Sequence, residues 1–162
     1  MVCVIDFDGT FLVNDFFKEA FFKKIIENPF FIIKHFFIEK KGILALKVKL
    51  LSDCKVDYPL EILMNHLVIN WISENRYLYD KILLVSASPD FFVKSILDKT
   101  SFFDEIHGSK DVNLKGISKF NYIKERWGDF DYLGNSNDDL PIFKYCNRAF
   151  IVSYKSIVYV SK

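Results

Sequence analysis

Glycine and proline are scarce in this 162-residue chain, at six and four residues. That excludes collagen-like repeats, Gly/Ser linkers and proline-rich low-complexity segments. Cysteine is scarcer still. Cys3, Cys54 and Cys146 are odd in number, far apart and in no paired metal-ligand spacing. A disulfide framework is therefore excluded, and buried free thiols in a reducing compartment are expected. Neither charge is in surplus: 22 Lys+Arg against 21 Asp+Glu leave +1. The basic footprint of a nucleic-acid binder is missing, and no nucleic-acid partner is expected. Long hydrophobic runs are missing too. Lys18, Glu19, Lys23, Lys24, Glu27 and Lys34 break the most apolar region, leaving no window of the roughly 20 apolar residues that a membrane span needs. Met1-Val2-Cys3-Val4-Ile5-Asp6 shows no basic segment ahead of an apolar run, so no secretory signal is read there. The expectation is a cytoplasmic location, with a peripheral membrane contact left open.

What the chain has in excess is apolar bulk. Half of it is hydrophobic (51%), and phenylalanine alone contributes 18 residues. The length suits one domain with room for an inserted sub-domain. Short apolar runs at residues 2–5, 82–85, 131–133 and 149–152 each end in a polar or small residue, as buried parallel strands do. A weaker strand candidate covers residues 105–107. Helical spacing fills residues 90–97, 118–127 and 140–145, the second of these stopping at Gly128. Strand alternating with helix predicts an α/β fold with a Rossmann-like parallel sheet.

Residues 14–79 break this rhythm. They hold no convincing strand, and helical spacing covers residues 15–27, 29–40, 43–51 and 60–74. On the last, Leu60, Leu63, Leu67 and Trp71 fall on one stripe. The expected division is a core of residues 1–13 and 80–162, with a helical cap and return helix at 14–79. Most phenylalanines of the cap are expected to pack inward. A minority would line an apolar approach to the site.

Four signals share one address, the carboxyl edge of such a sheet, where open α/β folds bind ligands. The first strand runs into Asp6-Phe7-Asp8-Gly9-Thr10, two carboxylates beside a glycine that allows a tight turn. Carboxylates there suit Mg²⁺, and an aspartate can also attack phosphorus. The second strand runs into Ser86-Ala87-Ser88-Pro89 and a helix, a hydroxyl and free N–H groups for an anion, although Ser88 or Asp90 could simply cap that helix. Lys115 and Lys119 stand near the start of the next helix, where the helix dipole disfavours a cation and an anionic partner is implied. The fourth strand runs into Gly134-Asn135-Ser136-Asn137-Asp138-Asp139, rich in oxygen ligands.

In this order the motifs resemble the haloacid dehalogenase (HAD) superfamily of phosphotransferases, with residues 14–79 in the position of a C1-type cap. A narrower likeness runs through Asn113-Leu114-Lys115-Gly116, Lys119, Trp127-Gly128, the run from Phe130 to Ser136, and Asp139-Leu140-Pro141. It resembles the HAD domain associated with UbiA-type prenyltransferases, which implies a fused or partner prenyltransferase.

The resemblance implies a Mg²⁺-dependent phosphatase. Asp6 would be the nucleophile and a metal ligand. Asp8 would be the acid and then the base, its main-chain carbonyl also on the metal. Ser86 would bind a phosphoryl oxygen, with Gly9, Thr10 and Ala87 completing the phosphate pocket. The lysine would be Lys119, which has Ile123 four residues on as in this family, with Lys115 as the alternate. Asn135 and Asp139 would complete the metal shell. Asn135 departs from the family, which usually carries an aspartate there, and should weaken metal binding. The expected substrate is a phosphorylated small molecule, or a lipid-linked or bulky phosphate, given the cap aromatics and the prenyltransferase likeness. The alternative is a catalytically weak HAD module acting as a membrane-surface or partner-binding domain. His35, His66 and His107 are scattered and suggest no metal site.

Overall fold

The computed structural model describes residues 1–35, 42–52, 63–98 and 100–160. Strand β1 (Val2–Ile5) leads into helices α1 (Phe16–Glu27), α2 (Phe30–Ile33), α3 (Ile43–Leu51) and α4 (His66–Asn75). Then follow β2 (Lys81–Pro89), α5 (Asp90–Leu97), β3 (Glu105–Ser109), α6 (Ile117–Trp127), β4 (Phe130–Gly134), α7 (Leu140–Tyr145), β5 (Ala149–Val152) and β6 (Ile157–Val160).

The six strands form one sheet in the order β3-β2-β1-β4-β5-β6. The first five are parallel, and β6 runs antiparallel on β5. Side chains alternate across a strand, so each strand feeds two cores. Cys3 and Ile5 of β1, with Ile82 and Leu84 of β2, join one buried cluster with Val68 and Ile72 of α4 and Val93 and Leu97 of α5. Val4, Leu83 and Val85 face the other way, against Ile123 of α6 and Ile142 of α7. Coverage on both faces is why these strands read as unbroken apolar runs. Ile5 pairs with Leu84 on one side and Leu133 on the other. The chain crosses from β1 to β2 and β3, then returns to β4 beyond β1. The crevice of that reversal opens at the carboxyl end of β1.

The helices between β1 and β2 start and stop for local reasons. Asp15 caps α1 by accepting from the Lys18 N–H, and Gly42 opens α3. Phe16 of α1 and Leu51 of α3 belong to the same buried cluster as β1. Asn65 opens α4 and ties three segments together. Its Oδ1 accepts from the Leu67 N–H, its Nδ2 donates to the Thr10 carbonyl at 3.1 Å, and its main-chain N–H donates to the Phe11 carbonyl at 2.7 Å.

Four expectations change. The helix expected at 60–74 is interrupted: Met64 forms an isolated bridge with Leu12, and α4 starts afresh after Asn65. The second strand does not stop at Val85 but continues to Pro89, with a register shift against β3. Strand β6, for which nothing was expected, pairs with β5 after a turn in which Ser153 and Ser156 bond each other. Finally, the insertion's phenylalanines are not mostly buried. Among the described ones only Phe16 is buried; Phe17, Phe21 and Phe31 are half-buried, and Phe22 and Phe30 are exposed. Two short helices have too little interior to bury them all. Cys3 and Cys146 are buried; Cys54 and residues 36–40 of the second expected helix lie outside the described residues.

Removing the buried Asn65 side chain would orphan a helix N–H and the Thr10 carbonyl. Asn65→Ala should cost about 2 kcal/mol, a fall in Tm of roughly 4–8 °C for a chain of this size. Thermal unfolding followed by circular dichroism measures it, and an unchanged Tm would contradict the role given to Asn65.

Candidate active site

Asp6 follows β1 directly, its N–H bonded to the Leu133 carbonyl of β4 at 3.0 Å. The sheet thus fixes its backbone, and its carboxylate stands at the carboxyl edge. Lys119, one turn into α6, reaches it from the other core face: Nζ lies 2.5 Å from Asp6 Oδ1. Both groups are buried. A second layer holds the lysine. Lys119 Nζ donates to the Tyr132 hydroxyl at 3.1 Å, which donates to Asp139 Oδ1 at 2.8 Å; Nζ itself lies 3.9 Å from that oxygen. Asp6 Oδ2 has one long contact, from the Thr10 hydroxyl at 3.4 Å.

Burial pushes the Asp6 carboxyl up, against the opposing pull of Lys119 and with a further push from Asp139. Burial acts on Lys119 in the discharging direction, but Asp6 and Asp139 more than offset it, and its pKa ends raised. The ammonium form is the one this pocket holds.

Asp8 projects two residues further along. Its Oδ2 accepts from the Ser88 hydroxyl at 2.6 Å and, distantly, from the Ser86 hydroxyl at 3.5 Å. Its Oδ1 is buried with no hydrogen-bond partner. Burial raises this carboxyl to about 7, Ser88 lowering it and Asp15 and Asp6 raising it. Directly after Asp8 the backbone turns through Gly9 at φ 75°. A Cβ there would come within 2.2 Å of Asn135 Nδ2, so the amide of Asn135 occupies the space that only glycine leaves.

These groups share a cavity of about 600 Å³. Of the residues proposed from sequence, Asp6, Asp8, Gly9, Ala87, Lys115, Lys119, Asn135 and Asp139 line it. Ser86 and Thr10 do not. Ser86 is fully buried behind the wall, its Oγ accepting from the Ser88 N–H at 2.9 Å. Ser88, weighed above only as a helix cap, lines the cavity and holds Asp8 instead; α5 has no side-chain cap, and Asp90 bonds the Gly108 N–H. Lys115 is exposed and paired with Asp138 at 2.9 Å, away from Asp6. Asp139 lines the site without offering a free oxygen: Oδ2 accepts from the Asn135 and Ser136 N–H groups and the Ser136 hydroxyl, and Oδ1 from Tyr132. That carboxylate closes the loop and steadies Lys119.

The largest omission is Lys47. From α3 it crosses to β2, donating to the Ala87 carbonyl at 2.7 Å and, weakly, to Asn113 Oδ1 at 3.4 Å. It is 7% exposed and lines the cavity. No carboxylate lies within ion-pair distance among the described residues. Burial lowers its pKa, Asp8 and Asp15 draw it up, and Lys115 and Lys119 push it down. The signal for it was a lysine among the apolar residues of α3, next to Leu46 and one turn from Leu50 and Leu51. The approach to the cavity is not simply apolar either. Asp15, Lys18 and Glu19 share it with Val13, Phe17 and Ile43, and Tyr154 from the β5–β6 turn stands at the same cavity.

No protein-family model matches the chain, and no curated protein sequence does. Solved structures do. A phosphoserine phosphatase holding a phospho-aspartyl intermediate analogue aligns over 91% of this chain and 84% of its own, at 19% identity and a TM-score of 0.55. A substrate-bound phosphoserine phosphatase complex aligns over 91% and 83%, at 21% identity and a TM-score of 0.55. A HAD family hydrolase from Salmonella enterica serovar Typhi aligns over 90% of this chain and 60% of its own, at 13% identity and a TM-score of 0.57. At such identities the likeness is one of fold: this chain has the α/β fold of HAD hydrolases.

The raised Asp8 carboxyl has a consequence for stability. The folded chain binds that proton more tightly than the unfolded chain, so the group favours folding below about pH 4 and loses that contribution as pH rises through about 7. Asp8→Asn removes the ionisation. The variant's Tm should exceed that of the wild type by an amount that grows between about pH 4 and 8, reaching several degrees. A difference constant across that range would mean that Asp8 titrates normally.

Proposed function

We propose that the chain is a phosphomonoester hydrolase that works through an aspartyl-phosphate on Asp6. The observation that carries this reading is the buried Asp6–Lys119 pair at the crevice of the sheet, with Asp8, one of its oxygens buried and unpartnered, lining the same cavity. Burying an ion pair and a second carboxyl costs stability, and such arrangements gather where chemistry is done.

The Asp6 carboxylate attacks phosphorus, and the bond from phosphorus to the leaving oxygen breaks. Asp8, raised to about 7, gives its proton to that oxygen. The resulting Asp8 carboxylate then takes a proton from water as the water attacks the aspartyl-phosphate, releasing phosphate and restoring Asp6. Lys119 faces the phosphoryl oxygens and balances the charge that builds there. Tyr132 and Asp139 hold the ammonium in line.

A Mg²⁺ ion fits the donors on this edge. The Asp6 carboxylate, the main-chain carbonyl of Asp8 and the Asn135 amide oxygen are hard ligands, and Asn135 sits against Gly9 where a larger residue would clash. Among the described residues no three acidic, histidine or cysteine side chains form a metal group, so phosphate and water oxygens would complete the shell. When bound, the ion offsets the repulsion between carboxylate and phosphate. Asp139, expected as a ligand, is already committed to hydrogen bonds.

Helices α1–α3 act as a cap that chooses the substrate. Lys47 offers a cation to an acceptor group on the leaving portion, and Phe17 and Ile43 offer apolar contact beyond it. A bulky or lipid-linked phosphate, the class suggested by the likeness to prenyltransferase-associated domains, must therefore carry an acceptor near its ester oxygen.

Phosphate release from p-nitrophenyl phosphate with Mg²⁺ tests the reading: Asp6→Asn should lower kcat by about a thousandfold or more. Undiminished turnover in that variant would refute the covalent route. For the natural substrate class, Lys47→Met should raise KM about tenfold and change kcat by less than about threefold. Asn135→Asp should lower the half-saturating Mg²⁺ concentration about tenfold, because a charged oxygen replaces a neutral one. An unchanged titration would remove Asn135 from the metal shell.

A further inference from the structure

Four large apolar side chains stand exposed on the first two helices of the insertion. On α1, Phe22 and Ile26 are one turn apart and 61% and 83% exposed; on α2, Phe30 and Ile33 are three residues apart and 75% and 50% exposed. Residues at those spacings share one side of a helix. None of them lines the catalytic cavity. Exposure of this kind on consecutive helices calls for a partner.

The charge beside them says which. The described parts of α1–α3 and their connections hold six lysines and two glutamates, in a chain whose total is +1. Lys47 is buried, but Lys18, Lys23, Lys24, Lys34 and Lys49 remain at the surface. Of these only Lys18 and Lys24 have a carboxylate within 4 Å among the described residues, Asp15 and Glu27. Lys24 of α1 and Lys49 of α3 both stand over the Phe31 ring of α2, at 5.5 and 4.7 Å.

We propose that the outer face of α1 and α2 docks on an anionic lipid surface. The boundary between headgroups and acyl chains accepts aromatic and aliphatic side chains a few ångströms deep, while flanking lysines stay at the level of the phosphates. It requires no matching groove, and this face presents none. A second copy of the chain is a poor partner, because a two-fold contact would set this lysine-rich face against itself. Docking does not depend on turnover.

The test uses the full chain and sedimentation with vesicles of phosphatidylcholine alone or with one-third phosphatidylglycerol. The protein should pellet with the anionic vesicles, stay in solution with the neutral ones, and be released as salt rises. Phe22→Ser with Phe30→Ser, and separately Lys23→Glu with Lys34→Glu, should each cut the apparent vesicle affinity about tenfold or more. Both should keep the wild-type Tm and the wild-type rate on a soluble phosphomonoester, so failure of the lipid proposal is separable from failure of the phosphatase reading. Absence of binding, equal binding to neutral vesicles, binding that survives both variants, or a solution dimer dissolved by the serine variant would overturn the proposal.

Discussion

The ammonium of Lys119 against the carboxylate of Asp6 is the contact on which the rest of the site depends. It joins residues 113 positions apart, from the end of the central strand and the first turn of α6, deep between the two core faces. Neither charge would be tolerable there alone. Lys119 is held from behind by Tyr132 and Asp139, and Asp139 closes the loop after β4 through Asn135 and Ser136. The loops after β1 and β4 and the start of α6 are therefore locked to one another through Asp6, Lys119, Tyr132 and Asp139. Beside this lock Asp8 has Ser88 as its main partner and one buried oxygen without a partner.

The sheet explains why these residues meet. Alternation along β1 and β2 sends every second side chain to each core, and burial on both faces pins the register. With Ile5 between Leu84 and Leu133, the next residue of β1 must emerge at the edge beside the ends of β2 and β4. Asn65 then draws the loop after Asp8 back toward α4, so the insertion begins and returns close to the nucleophile. Lys47 crosses from that insertion to the Ala87 carbonyl and completes the wall.

What could be read from the sequence was what depends on chain-local pattern. The runs ending at Asp6 and Gly134, the helix 90–97 with its preceding proline, and the spacing from Lys119 to Ile123 all carry their structure in a few neighbours. Val2–Ile5, Asp90–Leu97 and Leu140–Tyr145 form where the pattern put them. What escaped depends on distant partners. Lys47 gains its meaning from Ala87, forty positions away, and reads in sequence as one more surface lysine. Ser86 and Ser88 are chemically alike, and only the continuation of β2 to Pro89 makes Ser88 the one that lines the cavity and holds Asp8 closely. The apolar stripe from Leu60 to Trp71 gave no hint of the bridge between Leu12 and Met64 that interrupts it. Strand β6 exists because β5 offers it an edge.

The central claim is a covalent bond between Asp6 and phosphorus. Turnover of p-nitrophenyl phosphate with Mg²⁺, quenched in acid and followed by proteolysis and peptide mass mapping, reads it directly. The account predicts a phosphoryl adduct on the peptide containing Asp6, carried by its carboxyl and absent from Asp6→Asn. Turnover without that adduct, or an adduct on another residue, would contradict it.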